Sequence, residues 1–298
     1  MRLSEAPTKI GFKNVLFATD FSPVSRTALP FAESVARRYG SKLIAAHAIS
    51  PGETRMVPAE AWGACQQAIE DGARQEMNGL DVRLTAIPHE VVIRHGMIWD
   101  VLSELIEEKD ADLLIMGTHG RSGIGRLLMG SVAEEVFRQV AGPVLTIGPG
   151  VAAHAAPQAE FKEIVFATDF SLGSLAAAPY ALSLAQEFQA RLTLVHVVAE
   201  AGELVHGSAI PECERILADL RAIVPLDAEM WCRPECDVRF GVPAAGILEV
   251  AAEKRADLIV LGVRSGHVGA ATHALAATAH SVLSCAPCPV LTVRERRA

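Results

Sequence analysis

The sequence predicts an α/β protein built twice over, each copy a parallel sheet covered by helices on both faces. Two observations carry that expectation. Short, continuous apolar runs of strand length alternate with longer amphipathic runs of helical period, the pattern of strands buried on both sides. The pattern then starts again half-way along the chain. At 298 residues there is room for two domains of ordinary size. Half the residues are apolar and 21% charged, a globular composition, and only 5% are aromatic, so the cores must rest on Ala, Val, Leu and Ile.

The first strand is Asn14–Thr19, ending at Asp20. Ser22-Pro23 then supplies an N-cap with proline at the first helical position. Apolar residues at 28, 32, 35, 36 and 39 hold helical spacing, and Gly40 terminates the run. Pro30 inside it predicts a kink or a shifted start. Lys42–Ala48 is the second strand, followed by a Pro- and Gly-rich loop and a helix from about Pro58 to Met77. Val91–Arg94 reads as the third strand, Ile98–Lys109 as a helix, Leu113–Met116 as the fourth strand, Ser131–Val140 as a helix and Pro143–Ile147 as the fifth strand. Pro149–Glu160 is rich in Ala and Pro without apolar periodicity, the character of a linker.

After the linker, Val165-Phe-Ala-Thr-Asp-Phe-Ser171 repeats Leu16-Phe-Ala-Thr-Asp-Phe-Ser22 at an offset of 149. Pro179 answers Pro30, and His196 answers His47. Arg239-Phe-Gly241 answers Arg94-His-Gly96, and Ala256-Asp-Leu-Ile-Val-Leu-Gly262 answers Ala111-Asp-Leu-Leu-Ile-Met-Gly117. The last strands both read Pro-Val-Leu-Thr, from 143 and from 289. One five-stranded unit is therefore duplicated, over 10–148 and 161–294.

Net charge of −8 without a Lys/Arg run argues against nucleic acid as a partner. The N-terminus lacks the apolar core of a signal peptide, and no apolar run reaches the ~18 residues that cross a bilayer. The expectation is a cytoplasmic protein with no membrane partner, its six cysteines reduced.

Ligands of such sheets sit beyond the carboxyl ends of the strands, where strand order reverses. Strand one ends Ala18-Thr19-Asp20. Strand four runs into Gly117-Thr118-His119-Gly120-Arg121, and a helix opens after Arg126 and Gly130-Ser131. Glycines beside a helix start leave backbone N–H groups open to a phosphate chain, and a carboxylate opposite can accept from a base or a ribose. Each piece also has a structural explanation. Turns after strands use glycine routinely, Ser131 with Glu134 reads as a capping box, and Asp20 can cap the next helix.

Gly117-x2-Gly120-x9-Gly130-Ser131, with Thr-Asp-Phe-Ser near the start and Ala-Pro-Cys-Pro-Val-Leu at 286–291, resembles the universal stress protein family across both repeats. The resemblance implies strand order 3-2-1-4-5, an adenine nucleotide alpha hydrolase-like fold and, in nucleotide-binding members, ATP, here taken with Mg. Carried over, Asp20 and the backbone at Ala18 and Ala48 flank base and ribose, while Gly117, Gly120, Gly130 and Ser131, with Arg121 and Arg126 in reach, hold the phosphates. Ala18 departs from the proline frequent there. The second repeat departs further: Gly262-Val-Arg-Ser265-Gly266 displaces the second glycine, and Leu275-Ala-Ala-Thr278 stands where Gly-Ser is expected. One intact ATP site, in the first repeat, is the expectation, with the second copy structural or partner-binding.

Zinc on Cys232-x3-Cys236 and Cys285-x2-Cys288 is set aside, because the strands concerned lie on opposite sides of a 3-2-1-4-5 sheet. His47 and His196 read as satisfied core histidines. No Gly-x-Ser-x-Gly, Gly-x4-Gly-Lys or paired-carboxylate arrangement indicates catalysis beyond slow ATP hydrolysis. The function expected is a nucleotide-responsive module in stress response, the alternatives being a non-nucleotide interaction scaffold or an adenine-nucleotide-processing enzyme. The fifth strands, Pro143–Ile147 and Pro289–Val293, are candidates to pair within the chain as a pseudo-dimer, and a homodimer is compatible with the sequence.

Overall fold

The computed structural model describes residues 10–51, 61–118, 130–151, 159–199, 209–225, 228, 232, 234–263 and 270–294. The chain divides into two compact units, with the boundary between Ala159 and Glu160.

In the first unit the elements run β1 (Asn14–Ala18), α1 (Pro23–Tyr39), β2 (Lys42–Ile49), α2 (Trp62–Arg83), β3 (His89–His95), α3 (Ile98–Glu108), β4 (Leu113–Gly117), α4 (Ser131–Gln139) and β5 (Pro143–Ile147). The strands are parallel in the order β3-β2-β1-β4-β5. Right-handed crossovers then put α1 and α2 on one face and α3 and α4 on the other. Strand β1, with Val15, Leu16 and Phe17 all buried, lies at the centre.

The second unit repeats this with β6 (Glu163–Ala167), α5 (Leu172–Leu175), α6 (Ala178–Phe188), β7 (Arg191–Val198), α7 (Ala209–Ile223), β8 (Glu235–Phe240), α8 (Pro243–Lys254), β9 (Leu258–Val263), α9 (Ala270–Cys285) and β10 (Val290–Arg294). Its strands are also parallel, in the order β8-β7-β6-β9-β10.

Several boundaries differ from the sequence expectation for identifiable reasons. α2 continues past Met77 to Arg83 because the buried stripe of Ala73 and Met77 extends to Leu84 at its C-cap. It does so despite Gly63, Gly72 and Gly79, each costing about 1 kcal/mol relative to alanine in a helix interior. β3 runs His89–His95 and not only Val91–Arg94. As an edge strand it is only half covered, so its polar ends stay in the ladder. Pro30 does not break α1, whereas its counterpart Pro179 stands in the first turn of α6, after the short α5 has ended at Leu175.

One repeated carboxylate ties strand starts together. Asp112 Oδ2 accepts from the N–H groups of Lys13 (2.7 Å) and Asn14 (3.0 Å), fixing the start of β1 against the start of β4. Asp257 does the same for Lys162 (2.9 Å) and Glu163 (3.0 Å). The matching Ala-Asp-Leu segments of the two repeats thus have a structural cause.

Candidate functional site

Strand order reverses between β1 and β4, which lie side by side with Ala18 opposite Met116. The crevice beyond their carboxyl ends is where a ligand of this architecture belongs. Side chains alternate along each strand. Phe17, Thr19 and His47 face the α1/α2 side, where they line a cleft. Ala18 and Ala48 therefore face the α3/α4 side, and two methyl groups leave its floor low.

The turn after β1 is held by its own side chains. Asp20 Oδ1 accepts from the Ser22 N–H (3.0 Å), and Thr19 Oγ1 accepts from the Phe21 N–H (3.1 Å). Thr19 Oγ1 also lies 3.2 Å from Ser25 Oγ, and Ser22 caps α1 by accepting from the Ser25 N–H (3.2 Å). These bonds hold Phe21 at φ 61°, a left-handed conformation that a bulky residue adopts only when its surroundings impose it. His47 Nδ1 donates to the Thr19 carbonyl (2.7 Å), and its ring packs on Phe21 with centroids 4.4 Å apart.

The second unit rebuilds the same turn. The Ser171 N–H donates to Asp169 (3.0 Å), Thr168 Oγ1 lies 2.9 Å from Ser174 Oγ, Phe170 has φ 61°, and His196 reaches the Thr168 carbonyl at 2.8 Å. Both histidines are satisfied by that carbonyl, but only His47 is a core residue; His196 is half-buried. Asp20 is thus a turn-former in both copies, whatever else it binds, and Ser22, not Asp20, is the helix cap.

Gly117, the last residue of β4, also has a packing role. A Cβ there would lie 3.0 Å from Val24 Cγ1 and 3.2 Å from the Ser25 nitrogen, where the start of α1 crosses the strand. At Gly262 it would lie 2.0 Å from the Gly173 carbonyl oxygen, which excludes any side chain. The first glycine of the motif is therefore required at 262, and at 117 it sits in tight helix-on-strand contact where a methyl group would push Val24 and Ser25 by a few tenths of an ångström.

The two units part company at the next helix. In the first, the Gly130 N–H donates to the Thr118 carbonyl (2.9 Å), bringing the chain back to the end of β4, and α4 opens at Ser131. Gly130 is the N-cap, and no side chain caps this helix. The capping box expected of Ser131 and Glu134 is not formed. Ser131 stands one position too late, exposed in the first turn, and Glu134 pairs with Arg138 instead. Among the described residues, α4 thus presents an N-terminus that its own N-cap residue does not bond, next to the crevice.

In the second unit, alignment on the shared Pro-Val-Leu-Thr puts Ser131 level with Ala277. α9 begins at Ala270, so that level is helix interior, its N–H groups spent inside the helix. The matching crevice there holds about 100 Å³, bounded by Asp169, Gly262, Ile247 and Thr278 among others. Through the Arg-x-Gly match, Ile247 of α8 corresponds to Leu102 of α3. The contribution of that helix to the crevice wall is absent from the sequence reading. Its signal, an apolar residue one turn into the helix after Arg-x-Gly, is present in both repeats.

Of the expected site residues, the structure brings Ala18, Asp20, Ala48, Gly117, Gly130 and Ser131 to the carboxyl ends of β1, β2 and β4. Gly120, Arg121 and Arg126 lie outside the described residues. All six cysteines are free thiols. Cys288 is buried and its thiol is pushed up to about 12 by that burial and by the Asp257 charge, while Cys285 is exposed. Such a buried, protonated thiol is a poor nucleophile. Among the described residues no group of three His, Cys, Asp or Glu side chains could hold a metal ion, and no helix is long and apolar enough to cross a membrane.

The comparisons with known proteins agree with this duplicated architecture. The model of the universal stress protein family matches twice, at residues 11–148 and 160–294. Universal stress protein MJ0531 of Methanocaldococcus jannaschii is 30% identical over 141 residues, 46% of this chain and 82% of that protein. A universal stress protein of Mycolicibacterium smegmatis is 25% identical over 304 residues, covering 95% of this chain and 97% of its own. The crystal structure of a universal stress protein from Archaeoglobus fulgidus superposes with a TM-score of 0.71 at 21% identity, covering 95% of this chain and 98% of that one. The chain belongs to the universal stress protein family and carries two copies of its domain.

Proposed function

We propose that the first unit binds one adenine nucleotide, ATP with Mg²⁺, and that occupancy of this site makes the chain a nucleotide-responsive regulatory module of the cytoplasmic stress response. The base and ribose lie over Ala18 and Ala48, within reach of Asp20, and the phosphates lie against the start of α4. The observation that carries this reading is the contrast between α4 and α9. The first unit ends its glycine motif in a helix N-terminus beside the crevice, and the second runs helix through the same level. Helix N-termini favour anions through their open amides and the helix dipole. The second unit is a structural or partner-binding copy.

A non-nucleotide scaffold is the second reading. It is favoured by the structural roles of Asp20 and Gly117, each of which recurs in the other copy as Asp169 and Gly262.

Calorimetric titration of the full chain with Mg·ATP separates the two. One site per chain is expected, unaffected by Asp169→Ala. Ser131→Glu is the decisive variant. A carboxylate in the first turn suits the helix dipole, so the melting temperature should hold or rise, while ATP affinity should fall about tenfold or more through repulsion of the phosphates. Undiminished affinity in that variant would remove the phosphates from α4, and absence of any binding would favour the scaffold.

A further inference from the structure

On the other face of the same sheet a cleft of about 750 Å³ opens between α1 and α2, within the size range of small-molecule sites. The accessible ring of its floor is Phe21, half-buried and stacked on the buried His47 at 4.4 Å, with the buried Phe17 beside them. The floor's polar atoms already serve the fold, Thr19 Oγ1 with the Phe21 N–H and Ser25, and His47 Nδ1 with the Thr19 carbonyl. What the floor offers a ligand is ring surface. The opposite wall is the α2 stripe that includes Gly72 and Gly79, seven residues apart and so on one helix face. An added Cβ at either glycine would meet nothing within 4 Å, so close packing does not require them. Their effect is to keep the slot open.

The rim carries two arginines, Arg26 and Arg83, each paired with one carboxylate, Glu76 and Glu33. Arg26 donates through Nε to the Phe21 carbonyl (3.1 Å) and through Nη2 to Glu76 (2.8 Å). Arg83 donates through Nε to Glu33 (2.6 Å). A guanidinium has five N–H donors, so these bonds fix each group in place and leave donors for an incoming anion.

The second unit builds the facing helix differently. It keeps the same floor in Phe166, Thr168, Phe170 and His196, but the facing helix α7 contains no glycine and buries Ile216, Leu220 and Ile223.

We propose that the α1/α2 cleft of the first unit is a second small-molecule site, taking a planar aromatic monoanion such as an aromatic carboxylate. The ring lies between the exposed face of Phe21 and the glycine wall of α2, with the acid group at Arg26 and Arg83. The site is independent of the nucleotide reading, since the two open on opposite faces of the sheet.

The test uses the full chain and 8-anilinonaphthalene-1-sulfonate, whose emission reports entry into an apolar slot, with displacement by 2-naphthoate and by the neutral 2-naphthamide. One saturable dye site per chain is expected, displaced by the naphthoate about tenfold more tightly than by the amide, and not displaced by saturating Mg·ATP. Gly72→Leu should weaken dye binding about tenfold or more by filling the slot, while Gly63→Leu, on the same helix but outside the cleft, leaves it unchanged. Arg26→Gln should weaken the naphthoate and spare the amide, which keeps the test decisive if the leucine variant folds poorly. Undiminished dye binding in a folded Gly72→Leu protein overturns the site. Equal displacement by acid and amide overturns the anionic class, and displacement by ATP overturns its being a second site.

Discussion

At residue scale the hardest position to read is Asp20, because one carboxylate meets two demands. Its Oδ1 closes the turn into α1 through the Ser22 N–H, and Asp169 does the same in a copy that lacks the helix start. Recurrence of Thr-Asp-Phe-Ser in both repeats was legible in the sequence. That the aspartate forms the turn, and that it holds the next phenylalanine at φ 61°, was not, since the bonds concerned join side chains to backbone two residues on. Asparagine separates the roles. Asp20→Asn keeps an acceptor for the Ser22 N–H and removes the charge, so its melting temperature should stay near that of the parent, while Asp20→Ala loses about 1 kcal/mol. If the carboxylate also accepts from the nucleotide, titration should show weaker ATP binding in both variants. At position 169 the same pair should reproduce the stability difference and leave ATP binding untouched. An asparagine variant at 20 that binds ATP normally would leave Asp20 with the turn alone.

At the scale of elements, strand identity was legible because short apolar runs alternate with longer helical ones, and each of the five strands read in the first unit, and its matched counterpart in the second, is a strand. Element ends were less so. The edge strand β3 mixes polar and apolar residues, and its ends are held by ion pairs that periodicity does not register. Glu90 of β3 bonds Lys109, next after α3 (2.7 Å), and Lys42 of β2 (2.6 Å). These lysines, Lys109 first, hold the Glu90 carboxyl below its usual value of 4.5, against the opposing effect of burial. A carboxyl lowered in the folded state contributes stability that is present above its unfolded pKa and lost as pH falls through the folded one. Denaturation followed from pH 7 down through 4.5 and below should therefore show the parent losing stability at the acid end. Glu90→Gln should start less stable at pH 7 and lose less over that interval. Parallel pH profiles for the two proteins would exclude the pairing from the stability of this edge.

At the scale of the molecule, duplication acts as an internal control, and what differs between the copies says more about function than what they share. The shared features (the aspartate turn, the close packing at the first glycine, the aspartate tying the strand starts, the histidine on the turn carbonyl) all have structural causes in both units. Besides the break between α5 and α6, the differences that bear on a ligand are the start of α4 and the glycine wall of α2. The sequence showed the loss of Gly-Ser in the second repeat, but not its consequence. That consequence is an alanine-rich run from Ala270 which, alanine being the strongest helix former, continues α9 through the level of the missing site. Function confined to one copy predicts a response confined to one copy. A nucleotide at a hundred times its dissociation constant stabilises the state it binds by about 2.7 kcal/mol, and slows those openings that disrupt the site. Hydrogen exchange of the full chain with and without Mg·ATP should show slowed exchange at the end of β4 and over the first turns of α4, residues 113–118 and 130–135. Rates at the matching positions of the second unit, 258–263 and 276–281, should not change. Because each segment is compared with itself with and without nucleotide, the second unit serves as an internal reference for the first. Equal protection in both units would mean that α9 binds phosphate without a helix end, and would remove the ground for assigning the site to the first copy alone.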